Sequence, residues 1–160
     1  MPSRPPDNGL SSLGVLDAAE IRDAVATFLA DARRSLKVSD DGLCVVTAAS
    51  GQQSRVHAQT QVLPFASGAF SHLLCIDTLR HLGDPEDFLV ETQRVLAPGG
   101  RLLVIAVEPD ARATRGLMVK AGFSWSESYE AMRVEQVTDD ADVIEIRVFA
   151  TTGWIGEPQS

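Results

Sequence analysis

No run of apolar residues in this chain approaches the roughly 20 needed to cross a bilayer, and the opening MPSRPPDNGLSSLG has no apolar signal core. Neither membrane insertion nor export is therefore expected, and the expected location is the cytoplasm. Spacings of the Cys-x-x-Cys or His-x-x-x-His kind are missing as well, so no metal site is expected. Only two cysteines occur, Cys44 and Cys75, far apart and each inside an apolar run. They read as reduced core thiols rather than as a disulfide. Positive charge is in deficit, with 14 Lys and Arg against 22 Asp and Glu and a net charge of −8. That balance repels phosphate backbones and anionic lipid surfaces, so neither nucleic acid nor a membrane is an expected partner. There is no internal repeat.

What remains is an ordinary globular composition, 44% hydrophobic and 22% charged, in 160 residues, which is room for one domain with one sizeable core. Residues 1–14, rich in Pro, Ser and Gly without periodicity, read as a disordered arm, residues 15–155 as the domain and 156–160 as a tail. Asp17 and Glu20 have the spacing of a reciprocal helix cap. Ile21, Val25, Phe28, Leu29, Ala32 and Leu36 follow as one apolar stripe, which predicts a helix over 17–37. Asp40-Asp41-Gly42 ends it, and Leu43–Val46 has the continuous apolar character of a strand buried on both faces. A weaker strand is expected over 55–61. Leu73–Ile76 predicts a second buried strand and Arg101–Val107 a third. Between them Asp84 and Pro85 open a helix with Phe88, Leu89, Thr92, Val95 and Leu96 facing inward, and Pro98-Gly99-Gly100 stops it. Strand, capped helix, glycine turn and strand make a βαβ unit and imply parallel pairing. A helix over 113–121 closed by Gly122, and an antiparallel pair around the Asp139-Asp140 turn, complete the chain.

Leu63-Pro64-Phe65, Leu79-Arg80-His81-Leu82, Arg94-Val95-Leu96-Ala97-Pro98-Gly99-Gly100 and Ala121-Gly122-Phe123 occur in order and in register. Over somewhat more than half its length the chain closely resembles the second half of a class I S-adenosylmethionine-dependent methyltransferase, of the small-molecule type related to the ubiquinone-biosynthesis enzymes. The resemblance implies an α/β, Rossmann-like sheet, mostly parallel, with an antiparallel C-terminal hairpin.

The departures from the family pattern fall on the cofactor side. The first family strand normally ends in an acidic residue and a Gly-x-Gly-x-Gly loop, whose missing Cβ atoms let the backbone approach the cofactor. The corresponding stretch here reads Thr47-Ala48-Ala49-Ser50-Gly51-Gln52, with one glycine and no acid. No acidic residue follows to hold the ribose hydroxyls. The chain between Ala49 and Val56 is too short for a crossover, so one strand–helix unit near the N-terminus is expected to be missing. Gln59 stands where an Asp is usual before Leu-Pro-Phe, and Ser71 where an Asp follows Phe70.

By resemblance the candidate cofactor contacts are Ser50, Gly51, Gln59 and Leu63. Ser50-Gly51-Gln52 reads either as a shortened anion-cradling loop or as a plain tight connection. Asp77 and His81 follow a strand end where open α/β sheets bind ligands, and are the candidate catalytic pair. The alternative is that Asp77 satisfies local backbone amides and His81 caps the turn. Glu108 stands in the same position after the third strand. His57 and His72 read as partly exposed strand residues. Trp125, Tyr129 and Trp154 form either an exposed aromatic surface or ordinary core. Two functions are expected from this. One is a degenerate, non-catalytic methyltransferase-like module that binds S-adenosylmethionine only weakly. It would bind, scaffold or partner an active subunit, as a homo-oligomer or hetero-complex that covers an open edge along Leu43–Val46. The other is a minimal active methyltransferase of a small molecule, using S-adenosylmethionine.

Overall fold

The computed structural model of the protein describes residues 18–107 and 110–156. The expected arm over 1–14, the Asp17 cap, Glu108 and the tail beyond Gly156 lie outside the described residues.

Helix α1 (Ala19–Leu29) buries Ile21, Ala24 and Phe28, three and four residues apart, against the sheet. The helix predicted over 17–37 stops at Leu29. Arg34–Val38 forms strand β1 instead, with Leu36 and Val38 buried and Lys37 between them exposed, a period of two rather than 3.6. Strands β2 (Leu43–Ala48) and β3 (Gln53–His57) follow through two short turns. Then come β4 (Phe70–Ile76), a 3-10 turn at Leu79–His81, helix α2 (Pro85–Val95), β5 (Leu96–Val107), helix α3 (Asp110–Ala121), β6 (Trp125–Val137) and β7 (Val143–Trp154).

All seven strands form one sheet in the order β3-β2-β1-β4-β5-β7-β6. The first five stand in the 3-2-1-4-5 order of doubly wound α/β folds. The α/β class, the β4–α2–β5 unit and the antiparallel C-terminal hairpin stand as read from the sequence. The pairing differs. Only β1–β4 and β4–β5 are parallel, while β1–β2, β2–β3, β5–β7 and β6–β7 are antiparallel. Parallel neighbours need a crossover of a dozen or more residues. The links over 39–42 and 49–52 are turns that allow only hairpins, so β2 runs opposite to its neighbours. Relative to a doubly wound sheet, the helices between β1, β2 and β3 are gone and the strands remain. Nor is Leu43–Val46 an open edge, because β2 pairs with β1 on one side and β3 on the other. It is buried on one face only, through Cys44 and Val46. The open edge at this end of the sheet is β3, exposed at all five residues.

Two apolar clusters sandwich the sheet. On one face Leu36, Val38, Leu73, Leu102 and Val104 meet Phe88, Leu89 and Met118 of α2 and α3. On the other, Leu74, Leu103, Ile105 and Val148 meet Ile21 and Phe28 of α1. Cys44 and Cys75 are both buried and free, and burial pushes both thiols up in pKa. His57 is exposed as read from the sequence, whereas His72 is buried at 3% exposure. Trp125 and Tyr129 are half-exposed on the edge strand β6, and Trp154 packs edge-on against Trp125 at 6.4 Å. No helix among the described residues is long and apolar enough to cross a membrane.

Candidate functional site at the carboxyl ends of the parallel strands

In this strand order the chain leaves β1 and β4 in opposite directions along the sheet, and such a switch point is where open α/β sheets receive ligands. Asp77 and Thr78 occupy it. Asp77 takes a left-handed φ of 55°, a conformation that Asp tolerates better than most residues. Its amide donates to the Ile105 carbonyl at 2.8 Å, which fixes the turn to β5. The Asp77 carboxylate is held in a two-point grip by Arg80, whose Nε and Nη2 donate at 2.8 and 3.1 Å. His81 Nε2 lies 3.5 Å from the same carboxylate. The Thr78 hydroxyl is bonded to the Val38 carbonyl at 3.1 Å and so stitches the ends of β1 and β4 together.

Both candidate catalytic residues therefore meet at one strand end, together with Arg80, which the sequence reading did not single out. Its signal was the i, i+3 spacing from Asp77. Beside this cluster, between the 3-10 turn, α2, β5 and α3, is a cavity of about 210 Å³ bordered by Asp77, Leu79, Pro85, Ala106, Thr114 and Leu117. It is smaller than the roughly 300–1,000 Å³ of typical small-molecule sites.

The four candidate cofactor contacts do not converge on this cluster. Because β2 is reversed, the Ala49–Gln52 turn sits beside Arg34 at the amino end of β1, opposite Asp77. Within that turn the Gly51 amide donates to the Ala48 carbonyl at 2.8 Å and the Gln52 amide to Ser50 Oγ at 3.4 Å. Gln59 and Leu63 are on the carboxyl side, since β3 runs in the direction of β1. Gln59 is exposed, and its carbonyl closes a turn with the Val62 amide at 3.1 Å. Leu63 is buried, and both of its backbone groups are taken. Its amide donates to Glu91 at 2.7 Å and its carbonyl accepts from Arg94 at 2.9 Å.

Arg94 also donates to the Phe65 carbonyl at 2.9 Å and to Glu91 through Nε at 2.8 Å. The hydrogen bond from Arg94, ahead of the Leu63 amide, holds the Glu91 carboxyl below the usual range. The shared Leu-Pro-Phe and Arg-Val-Leu segments are thus two halves of one clamp. Arg94→Ala is expected to lower stability by about 1–3 kcal/mol, by stranding the Leu63 and Phe65 carbonyls and Glu91 at a partly solvated site. Arg94→Lys is expected to recover only part of this, because an ammonium cannot reproduce the planar fork. Urea denaturation of both variants is the check.

The nucleotide cofactor of this fold requires a backbone that leaves room beyond the end of the first parallel strand. Here that position is the Ser39–Gly42 turn, and it is closed upon the chain itself. The Ser39 amide donates to Leu43 at 2.9 Å, the Gly42 amide to Ser39 at 3.0 Å, and the Leu43 amide to the Asp41 carboxylate at 3.1 Å. Gly42 has a φ of 90°, and a Cβ on it would land on the Ala58 carbonyl oxygen. The close approach that a glycine permits is used by the chain's own Ala58, whose amide donates to the Gly42 carbonyl at 2.9 Å. Asp40 and Asp41 add negative charge where a cofactor carboxylate would need donors. The Ser39–Gly42 turn, as it is closed on Ala58, leaves no room for the cofactor backbone approach beyond the end of β1.

A second polar cluster lies at the amino ends of the strands. His72 Nδ1 is 2.8 Å from Ser71 Oγ, its Nε2 is 3.1 Å from Asp31, and Arg101 grips the other Asp31 oxygen at 2.6 Å. Desolvation, and then the Arg101 cation, lower the His72 pKa against the pull of Asp31. Serine, histidine and aspartate in a row resemble a nucleophile relay. The Ser71 hydroxyl, however, accepts from the Arg33 and Arg34 amides at 3.0 and 3.3 Å and donates to the Arg34 carbonyl at 3.2 Å. The cluster fastens the end of α1 to β1, β4 and β5. Among the described residues there is no group of side chains suited to a metal.

A family model described as a methyltransferase domain matches residues 23–104, just over half of the chain. The ubiquinone/menaquinone biosynthesis C-methyltransferase of Pseudomonas fluorescens is 36% identical over 115 residues, which are 71% of this chain and 43% of that protein. The enzyme of the same description from Teredinibacter turnerae is 33% identical over 84% of this chain and 53% of its own length. The chain thus spans about half the length of these relatives, or less. A candidate methyltransferase from Bacillus halodurans C-125 superposes with a TM-score of 0.50 at 15% identity, covering 64% of this chain and 71% of that one, which speaks to fold alone. The chain belongs to the class I S-adenosylmethionine-dependent methyltransferase family.

Proposed function

We propose that this chain is a non-catalytic member of its family, a binding or scaffolding module that can also serve as the partner of an active subunit. One observation carries the reading. The turn after β1, which should open toward the cofactor, is filled by Ala58 and has its amides bonded internally. The cluster of Asp77, Arg80 and His81 at the neighbouring strand end is likewise satisfied within the chain. In this reading the open edge at β3 supports association, as a homo-oligomer or with another protein, because an unpaired strand edge can template pairing.

Titration calorimetry with S-adenosylmethionine and with its demethylated product tests the reading. Losing several hydrogen bonds to the cofactor, worth about 1–3 kcal/mol each, removes most of a micromolar affinity, so binding no tighter than about 1 mM is expected. Micromolar affinity would overturn it. That result would favour the second reading, an active methyltransferase of a small molecule. Its support is the 36% identity to a ubiquinone/menaquinone C-methyltransferase and the intact β4–α2–β5 unit.

A further inference from the structure

On the α1 side of the sheet the missing crossover helices leave a groove of about 400 Å³ between α1 and strands β1, β2 and β4. Val25 and Leu29 of α1 form its wall, and Val45, Leu74 and Ile76 form its apolar floor. This volume lies in the range of small-molecule sites. The groove is on the sheet face rather than at the strand ends, so nothing about it depends on how the cofactor question is resolved.

Its charge is the opposite of the chain's. The protein carries 22 acidic and 14 basic residues, yet among the described residues no carboxylate lines the groove, and Arg22 and Lys37 do. Both are exposed, and among the described residues neither charged group has a side-chain hydrogen bond or ion pair. By contrast Arg94 is engaged by Glu91, Arg101 by Asp31, and Arg133 and Arg147 by Glu130, while Arg33 and Arg55, outside the groove, also have no side-chain partner among the described residues. Two cations without a partner among the described residues, above an apolar floor, suit a ligand with an apolar body and an anionic head.

We propose that this groove binds an amphipathic organic anion, with its apolar body on Val45, Leu74 and Ile76 and its head at the rim formed by Arg22 and Lys37. The ligand is a small molecule with a carboxylate or sulfonate head. Burial of the body supplies the affinity, and the cations select the charge.

The full chain is titrated with the fluorescent anion 1-anilinonaphthalene-8-sulfonate, with the uncharged N-phenyl-1-naphthylamine, and with decanoate as competitor. Saturable 1:1 binding of the anion, displaced by decanoate, is expected. Arg22→Glu and Lys37→Glu should each weaken the anion about three- to ten-fold, with the uncharged probe and the melting temperature unchanged, since both positions are exposed. Ala26→Phe, filling the groove from an exposed helix position, should weaken both probes. Non-saturating binding, or indifference to both charge reversals, would overturn the proposal. So would tighter binding by the full-length double variant Leu13→Ser, Leu16→Ser, which would mean that the N-terminal segment already covers the groove. Probe binding that falls as light scattering reports a dimer would assign the groove to a second copy and overturn it equally.

Discussion

Leu103→Ala is expected to cost about 2–5 kcal/mol of folding stability, and Leu74→Ala to fall in the lower half of that range. The two residues are register partners on β5 and β4, 2% and 4% exposed, in the cluster beneath α1. Leu103, unlike Leu74, does not border the groove, so truncation there leaves a void within the apolar cluster that the packed strands fill only in part. Leu74 borders the groove, so water can enter part of the space it vacates and the cavity cost is smaller. Since domains are stable by only about 5–15 kcal/mol, either change takes a large share of the total. Thermal unfolding followed by circular dichroism is the check, with about 2–4 °C lost per kcal/mol for a chain of this size. Near-neutral melting temperatures for both variants would contradict the packing of α1 on this face. A larger loss at Leu74 would contradict the open groove beside it.

The β4–α2–β5 unit was legible in the sequence because its signals are local. Two apolar runs of strand length flank a helix opened by Asp84-Pro85, although it ends at Val95, and Leu96 and Pro98-Gly99-Gly100, read as its last inward residue and its stop, already belong to β5. Strand β1 was not legible in the same way. Its five residues follow an apolar stripe whose spacing also accommodates Leu36, and only the central position of β1 in the sheet decides the conformation in favour of a strand. A helix over Arg34–Val38 places the first parallel strand at Leu43–Val46 and hence the cofactor loop one turn later in the chain than the structure does. Whether a turn lies at the ligand end of a sheet depends on strand direction. Direction is set by crossover length, a property of the chain between the strands and not of the turn itself. Asp77 and His81 stand together at the carboxyl end of β4 because the direction of that strand is set by the crossover through α2, which is legible in the sequence. The burial of His72 was out of reach for another reason. Its partners Asp31 and Arg101 lie 41 and 29 positions away, and nothing near His72 in the sequence points to them.

Gly42→Ala is expected to cost about 2–4 kcal/mol, the sum of a left-handed backbone penalty of about 1–2 kcal/mol and the loss of a backbone contact. Gly42 has a φ of 90°, which an alanine adopts only under strain, and its Cβ would overlap the Ala58 carbonyl oxygen. That oxygen belongs to backbone, so no rotamer change relieves the overlap. The turn and the end of β3 must separate, breaking the hydrogen bond from the Ala58 amide to the Gly42 carbonyl. Gly51 provides the internal control. Its φ is 93°, but nothing lies within 4 Å of a Cβ placed there, so Gly51→Ala is expected to cost only the backbone penalty of about 1–2 kcal/mol. The difference between the two variants therefore measures the contact between the β1–β2 turn and Ala58, with strain cancelled. Urea unfolding of both gives that difference, provided the slope of free energy against denaturant is unchanged. Equal costs would mean that Ala58 does not press on the turn. The space beyond β1 would then be open to a ligand, and the non-catalytic reading would lose the observation on which it rests.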